Sequence, residues 1–241
     1  MLSYCLVVLV LGALIAIHEF GHLLVAKLCR IPIAEFSIGF GPKLAGRRWG
    51  ETIYRVSAVP LGGYVLPALD ERELRARPAT RRVLFALGGP IANIVAAFFC
   101  LLALGVVELG LNAANAVVFA TTQLWSSLQL LAFALSTLFV DPSQISGIVG
   151  IVAIGGAEFG STAAGLLTFS VWINLNLAVL NLLPLPPLDG GRILFCLLEK
   201  ACRPLVRMQT PVTLLGWAFV LAVMVYATIQ DVGRIATGMI A

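Results

Sequence analysis

The stretch Ala16-Ile17-His18-Glu19-Phe20-Gly21-His22 decides how this chain is read. On a helix, positions i and i+4 lie on one face, one turn apart. His18 and His22 can therefore aim ring nitrogens at one metal ion. Glu19, beside them, can hold and deprotonate a metal-bound water. Two imidazoles, one carboxylate base and one Zn²⁺ make up the zincin arrangement. These are the chain's 2 histidines. They sit in an apolar run, Leu2 to Val25, long enough to cross a membrane. A carboxylate at the centre of a membrane helix costs about 2.5–3.5 kcal/mol on insertion scales, so an intramembrane Glu marks a functional site.

The rest of the composition agrees with a membrane setting. Sixty per cent of residues are apolar and 12% are charged, against about 25% charged in soluble domains. Mean hydropathy is +0.99. The reading is a mainly α-helical, multi-spanning membrane protein. The first run has no basic n-region, is too long for a signal-peptide core, and carries the proposed ligands, so it reads as a retained span. The net charge of +4 does not suggest nucleic acid, because the basic residues cluster beside apolar spans. Cys5, Cys29, Cys100, Cys196 and Cys202 show no CxxC pair and no framework spacing, and they read as apolar packing residues.

The basic residues also give a topology. Of the 16 Lys and Arg, 11 fall between Lys27 and Arg82 and 4 between Arg192 and Arg207. None falls in the 109 residues from Val83 to Gly191. By the positive-inside rule both basic stretches are cytoplasmic, so an even number of crossings separates them. The simplest count is two. Four spans follow, at about 2–25, 83–107, 166–183 and 212–229, with both termini outside and the His-Glu-x-x-His motif toward the cytoplasm.

Between the first two spans, residues 31–66 mix charges with Gly, Pro and alternating apolar residues. Glu35–Pro42 and Thr52–Val59 read as short strands, joined by a turn at Gly46–Gly50 and closed by Pro60–Val65. The stretch fits either a small membrane-associated sheet or a plain cytoplasmic hairpin loop. A sheet edge would offer unpaired backbone groups to an extended peptide. Residues 113–140 carry no charge, yet Asn115, Thr122, Ser126, Gln129 and Ser136 form a partial polar stripe. That suits an amphipathic helix on the outer interface better than a span. Ser146–Gly165 reads as a stretch that includes a loop and the lead-in to the third span, and 192–207 as a basic amphipathic segment. The third span carries Asn174, Asn176 and Asn181, amides that at membrane depth face protein.

Catalytic zinc usually takes three protein ligands plus water. With no third histidine, a carboxylate is needed. Asp189, in Leu188-Asp189-Gly190-Gly191, lies at the cytoplasmic end of a span, as the motif does, and is the best candidate. Taken alone the same stretch also reads as a polar turn.

Together these residues resemble the site-2 protease family of intramembrane zinc metalloproteases, most closely the bacterial regulator of sigma-E protease branch. The resemblance rests on His18–His22, Gly39-Phe40-Gly41-Pro42, Pro60–Val65, Leu69-Asp70-Glu71-Arg72, Gly89-Pro90-Ile91-Ala92-Asn93 and Asn181–Gly191. It implies that residues 1–241 form one intramembrane metalloprotease domain. His18, His22 and Asp189 would bind Zn²⁺, and Glu19 would activate water. Asn181 and Asn176 would lie near the substrate path. The activity it implies is cleavage of substrate transmembrane segments in the bilayer of a bacterial inner membrane. Substrates would be shortened anti-sigma factors or remnant signal peptides. Members of this branch carry PDZ domains between the second and third spans. Here 38 residues separate Val107 from Ser146, too few for a domain of the usual size of about 50–250 residues.

Two other functions compete. A quality-control membrane zinc peptidase would need a Glu as third ligand, and Glu108, Glu158 and Glu199 have the wrong depth or context. A non-enzymatic metal-binding membrane protein or transporter would show dispersed intramembrane ligands or inverted repeats, and the sequence shows neither.

Overall fold

The structure is a computed structural model that describes residues 1–138, 146–201 and 205–237. The elements in order are α1 (Leu2–Leu28), β1 (Ile33–Trp49), β2 (Thr52–Pro67), α2 (Glu71–Ala76), α3 (Ala79–Val107) and α4 (Ala113–Leu138). After these come α5 (Ile148–Ile154), a π-helical turn (Gly155–Phe159), α6 (Ala163–Asn181), α7 (Asp189–Ala201) and α8 (Leu205–Ala236). Among the described residues, five helices are long and apolar enough to cross a membrane. Four of them overlap the spans read from the sequence, α6 ending two residues short of the expected 166–183. The fifth is α4, the least apolar of the set; the last residues of the expected 113–140 segment lie outside the described part.

The chain divides into two compact units. The unit that holds the His-Glu-x-x-His motif comprises Leu11–Ile94 and Leu180–Gly216. In it, α1 ends in a Schellman motif: Ile31 N–H donates to Ala26 O at 2.8 Å and Arg30 N–H to Lys27 O at 3.1 Å. Arg30 takes the left-handed conformation, φ 55°, where glycine is usual. The chain is thereby turned straight into β1. Leu23 and Ala26 of α1 then pack with Cys29, Ile31, Ile33, Phe36 and Phe85 into one buried cluster. Asp70 caps α2 through a complete capping box with Glu73.

The small sheet is present, with strands longer than the sequence suggested. Ser37 pairs with Tyr64 on one side and with Arg55 on the other, and Arg55 pairs again with Gly46. The lateral order is thus 43–49, 52–57, 33–38, 63–67. The turn expected at Gly46–Gly50 is a correction: Gly46–Trp49 is strand, and the reversal is the two-residue Gly50-Glu51 between Trp49 and Thr52. Gly50, φ 62°, supplies the positive φ that such a tight reversal needs.

The other unit comprises Met1–Val10, Val95–Val179 and Trp217–Ala241. Ala97, Leu101, Ala120, Leu131, Val171 and Leu175 form its buried cluster. The Ser146–Gly165 stretch includes the expected loop, at 160–162 before α6, and also holds α5 and the π-helical turn. Asp231, fully buried, accepts hydrogen bonds from Gly147 N–H and Gly150 N–H, both 2.8 Å, and so caps α5 from a distant helix.

Helices α1 and α3 meet almost backbone to backbone. A Cβ on Gly21 would lie 2.3 Å from Gly88 O, and one on Gly88 would lie 2.7 Å from Gly21 O. Small residues allow such contact between membrane helices. Gly21→Val should lower the unfolding free energy of the detergent-solubilised protein by about 1–3 kcal/mol. Gly233→Ala, where nothing lies within 4 Å, serves as the control. Equal thermal midpoints for Gly21→Val and the parent would refute the close contact.

Candidate metal centre

Helix α1 presents His18 and His22 on one face, both buried. Asp189 joins them from the first turn of α7 and is also buried. It is delivered there by a tight loop. A Cβ on Gly190 would lie 2.2 Å from Leu182 O and 2.3 Å from Leu183 O, so only glycine lets α7 start this close to the end of α6. At the other end of α7, Glu199 is ion-paired with Arg82 of α3 at 2.6 Å.

The three ligand atoms form a nearly equilateral triangle. His22 Nε2 lies 3.2 Å from His18 Nε2 and 3.2 Å from Asp189 Oδ2, and His18 Nε2 lies 3.3 Å from Asp189 Oδ2. Tetrahedral zinc with bonds of about 2.0–2.1 Å separates its ligand atoms by about 3.3–3.4 Å. The triangle therefore has the dimensions that a tetrahedral zinc would need of three ligand atoms.

The tautomers agree with metal binding. His22 Nδ1 lies 2.8 Å from Phe85 O. A carbonyl only accepts, so Nδ1 carries the hydrogen and Nε2 keeps its lone pair for the metal. Gly89 N–H also lies 3.3 Å from Nδ1, a longer contact that cannot be a hydrogen bond while Nδ1 is the donor. The Phe85 ring packs against His22 edge-on, with centroids 5.6 Å apart. Two imidazole lone pairs and a carboxylate oxygen at hydrogen-bond distance repel one another unless a cation or a proton lies among them. Burial alone would push the Asp189 carboxyl up. Arg192 Nη1, 3.5 Å from Asp189 Oδ1, favours the ionised carboxylate that a metal needs. The donor set therefore fits Zn²⁺, and among the described residues it is the one group of three or more His, Cys, Asp or Glu gathered closely enough to hold a metal.

Glu19 is half-buried beside this triangle and within the electrostatic reach of His18, His22 and Asp189. Its side chain lies against the sheet. A Cβ on Gly63 would sit 2.9 Å from Glu19 Cγ and 2.8 Å from Ser37 O. The 63–67 stretch pairs on one side only among the described residues. A sheet edge thus passes beside the proposed base.

Asn181 belongs to the same compact unit as the triangle, and Asn176 to the other. The Asn176 amide donates to Trp172 O on its own helix at 2.8 Å. Three contributors to the centre escaped sequence reasoning: the Phe85 carbonyl, Gly63 against Glu19, and Gly89. The last two lie in stretches whose glycines are visible in the sequence, but nothing there says what they face.

Comparison with known proteins agrees with this geometry. A buried His-His-Asp triangle with an adjoining Glu, set in apolar helices, defines a membrane zinc metalloprotease. Residues 6–225 match peptidase family M50, and the chain belongs to that family. It is 25% identical to a provisionally named zinc metalloprotease of Clostridium acetobutylicum, over 93% of this chain and 96% of that one. It is 27% identical to another of Synechocystis, over 92% of each. A third, from Thermotoga maritima, is 37% identical over 39% of this chain and 21% of its own length. The first alignment extends over 324 positions, more than the 241 residues of this chain, so that relative carries inserted residues that this chain does not.

Gly89 gives a direct test of the centre. A Cβ there would lie 2.4 Å from His22 Nε2 and 2.5 Å from His18 Nε2. Gly89→Ala should sharply lower the zinc content of the purified protein while leaving its far-ultraviolet circular dichroism unchanged. Full zinc content in this variant would mean that the ligand nitrogens do not converge where the structure has them.

Proposed function

We propose that this chain is an intramembrane zinc endopeptidase that cuts a transmembrane segment of a membrane-protein substrate. The observation that carries the proposal is the position of the base. Glu19 lies on a membrane-length helix, beside the ligand triangle and against the edge of a small sheet. His18, His22 and Asp189 would hold the metal. When bound, zinc polarises the scissile carbonyl and acidifies a water to a pKa of about 7. Glu19 orients the attacking water, takes its proton, and returns it to the leaving amine nitrogen.

The substrate must first lose its helix, because a helix in lipid hides each carbonyl in its own hydrogen bonds. Residues 63–67 offer an unwound strand partners for its backbone. Asn181, and secondarily Asn176, would hold its polar groups further along. The family resemblance extends this to regulated intramembrane proteolysis of anti-sigma-factor-like proteins or remnant signal peptides. A third-ligand Glu, which a quality-control peptidase of another class would use, finds no support among the described residues: the gathered carboxylate is Asp189.

Glu19→Gln separates base from ligand. The variant should keep zinc at the parent's content and lose cleavage of a model transmembrane substrate by a factor of about 10²–10⁴, the usual worth of a general base. Cleavage at the parent's rate would sink the role of Glu19.

We further propose that the centre faces the cytoplasmic side of the inner membrane, with both termini outside. The distribution of basic residues supports this. If α3, α4 and α6 all crossed, the two basic stretches would fall on opposite sides, against the positive-inside rule. An interfacial α4 restores the parity. In a cysteine-free background, a membrane-impermeant thiol reagent applied from outside should label a cysteine at Asn112 and not one at Arg77. Labelling in the opposite sense would overturn the orientation.

A further inference from the structure

We propose that Asn93 is a positioning residue for the metal centre, its amide oxygen taking up the hydrogen bond of His18 Nδ1–H across one bound water. The proposal rests on His18 being a metal ligand.

The two histidines are treated unequally by the structure. His22 Nδ1 has its acceptor, the Phe85 carbonyl, at 2.8 Å. His18 Nδ1 is buried and has no partner among the described residues. With the His18 Nε2 lone pair turned to the triangle, Nδ1 must carry a hydrogen. A metal-bound imidazole almost always donates that hydrogen to an outer acceptor, which fixes the ring and raises its basicity.

Asn93 has the complementary defect. It is fully buried, and neither its Oδ1 nor its Nδ2 has a partner among the described residues. Buried polar atoms left unpaired call for an explanation.

The helix geometry brings the two defects together. Phe85, Gly89 and Asn93 recur at steps of four, so they share one face of α3. That face looks onto the ligands of α1. The Phe85 carbonyl meets His22, and a Cβ on Gly89 would lie 2.5 Å from His18 Nε2 and 2.6 Å from His18 Cε1. Gly21 meets both Gly88 O and Ala92 Cβ, while the backbone of His22 meets Gly88. Going up α3 from Phe85 therefore means going down α1 from His22 toward His18. Asn93 comes one turn, about 6 Å of rise, beyond Gly89 on the His18 side. Within this compact unit it is the unpaired buried amide on the ligand-facing side of α3. Its oxygen can only accept, which is what Nδ1–H requires. A water between them would have the two to four polar partners that a buried water needs.

The test uses the full chain in detergent, with zinc affinity measured by chelator competition. Asn93→Leu keeps volume and removes the acceptor; its affinity should fall about 10–100-fold, the usual effect of losing an outer partner. Asn93→Asp keeps an acceptor and should bind zinc at least as tightly as the parent. The unfolding midpoint of the zinc-free forms shows whether each variant folds. Should Asn93→Leu not fold, Asn93→Ala takes its place with the same expectation. Parent affinity in a folded Leu or Ala variant overturns the proposal, and so does a loss that Asp fails to restore. His18→Ala is the companion measurement. If it keeps full zinc, the ligand reading itself fails. If it loses zinc while Asn93→Leu does not, only the role of Asn93 fails.

Discussion

The close approach of α1 and α3 is the contact on which the rest of the structure depends. Gly21 against Gly88 sets the helix separation, and Gly89 then lies directly over the ligand nitrogens. At that distance the Phe85 carbonyl reaches His22 Nδ1 and selects the tautomer that leaves Nε2 free. A side chain at any of these glycines would part the helices and separate the carbonyl from its imidazole. Three small residues thus control both the position and the tautomer of His22.

Asp189 answers a different constraint. A carboxylate with two imidazoles in an apolar surrounding is costly unless paired. Glycine at 190 allows α7 to begin against the Leu182 and Leu183 carbonyls just after α6, which places the carboxylate at the triangle. The Arg82–Glu199 pair holds the opposite end of the same helix to α3, 3 residues before Phe85. The helix that carries Asp189 is therefore tied to the helix that orients His22.

How much of this could be read from the sequence depended on the range of the interaction. His18, Glu19 and His22 are legible because helix periodicity alone brings them together. Asp189 is 167 residues from His22 and was reached only by needing a carboxylate at matching depth and by family resemblance. Hydropathy was enough to find the long apolar helices, four of which overlap the spans read from the sequence. Helix α5 was not, because its sequence is Gly- and Ala-rich without periodicity and its cap, Asp231, is 84 residues from Gly147. The reversal at Gly50-Glu51 was placed too early for a related reason: Arg47 and Arg48 look like turn residues alone, but pair across the hairpin with Tyr54 and Ile53. Local pattern found the parts that local forces make, and missed those completed by a distant partner.

In the proposed reaction the sheet edge and the base cannot be separated. An unwound substrate strand in an apolar setting leaves backbone groups unpaired, at several kcal/mol for each. The 63–67 edge can take up those groups. Because residue 63 has no side chain, that edge lies against the methylenes of Glu19 itself. A strand added there would be held one strand spacing, about 4.8 Å, from the segment that touches the base. The same contact would then unwind the substrate, set its register and bring one of its carbonyls to the proton-transfer group. A substrate that stays helical gains none of this, so selectivity in such a site arises from the readiness of a segment to give up its helix, more than from recognition of any one side chain.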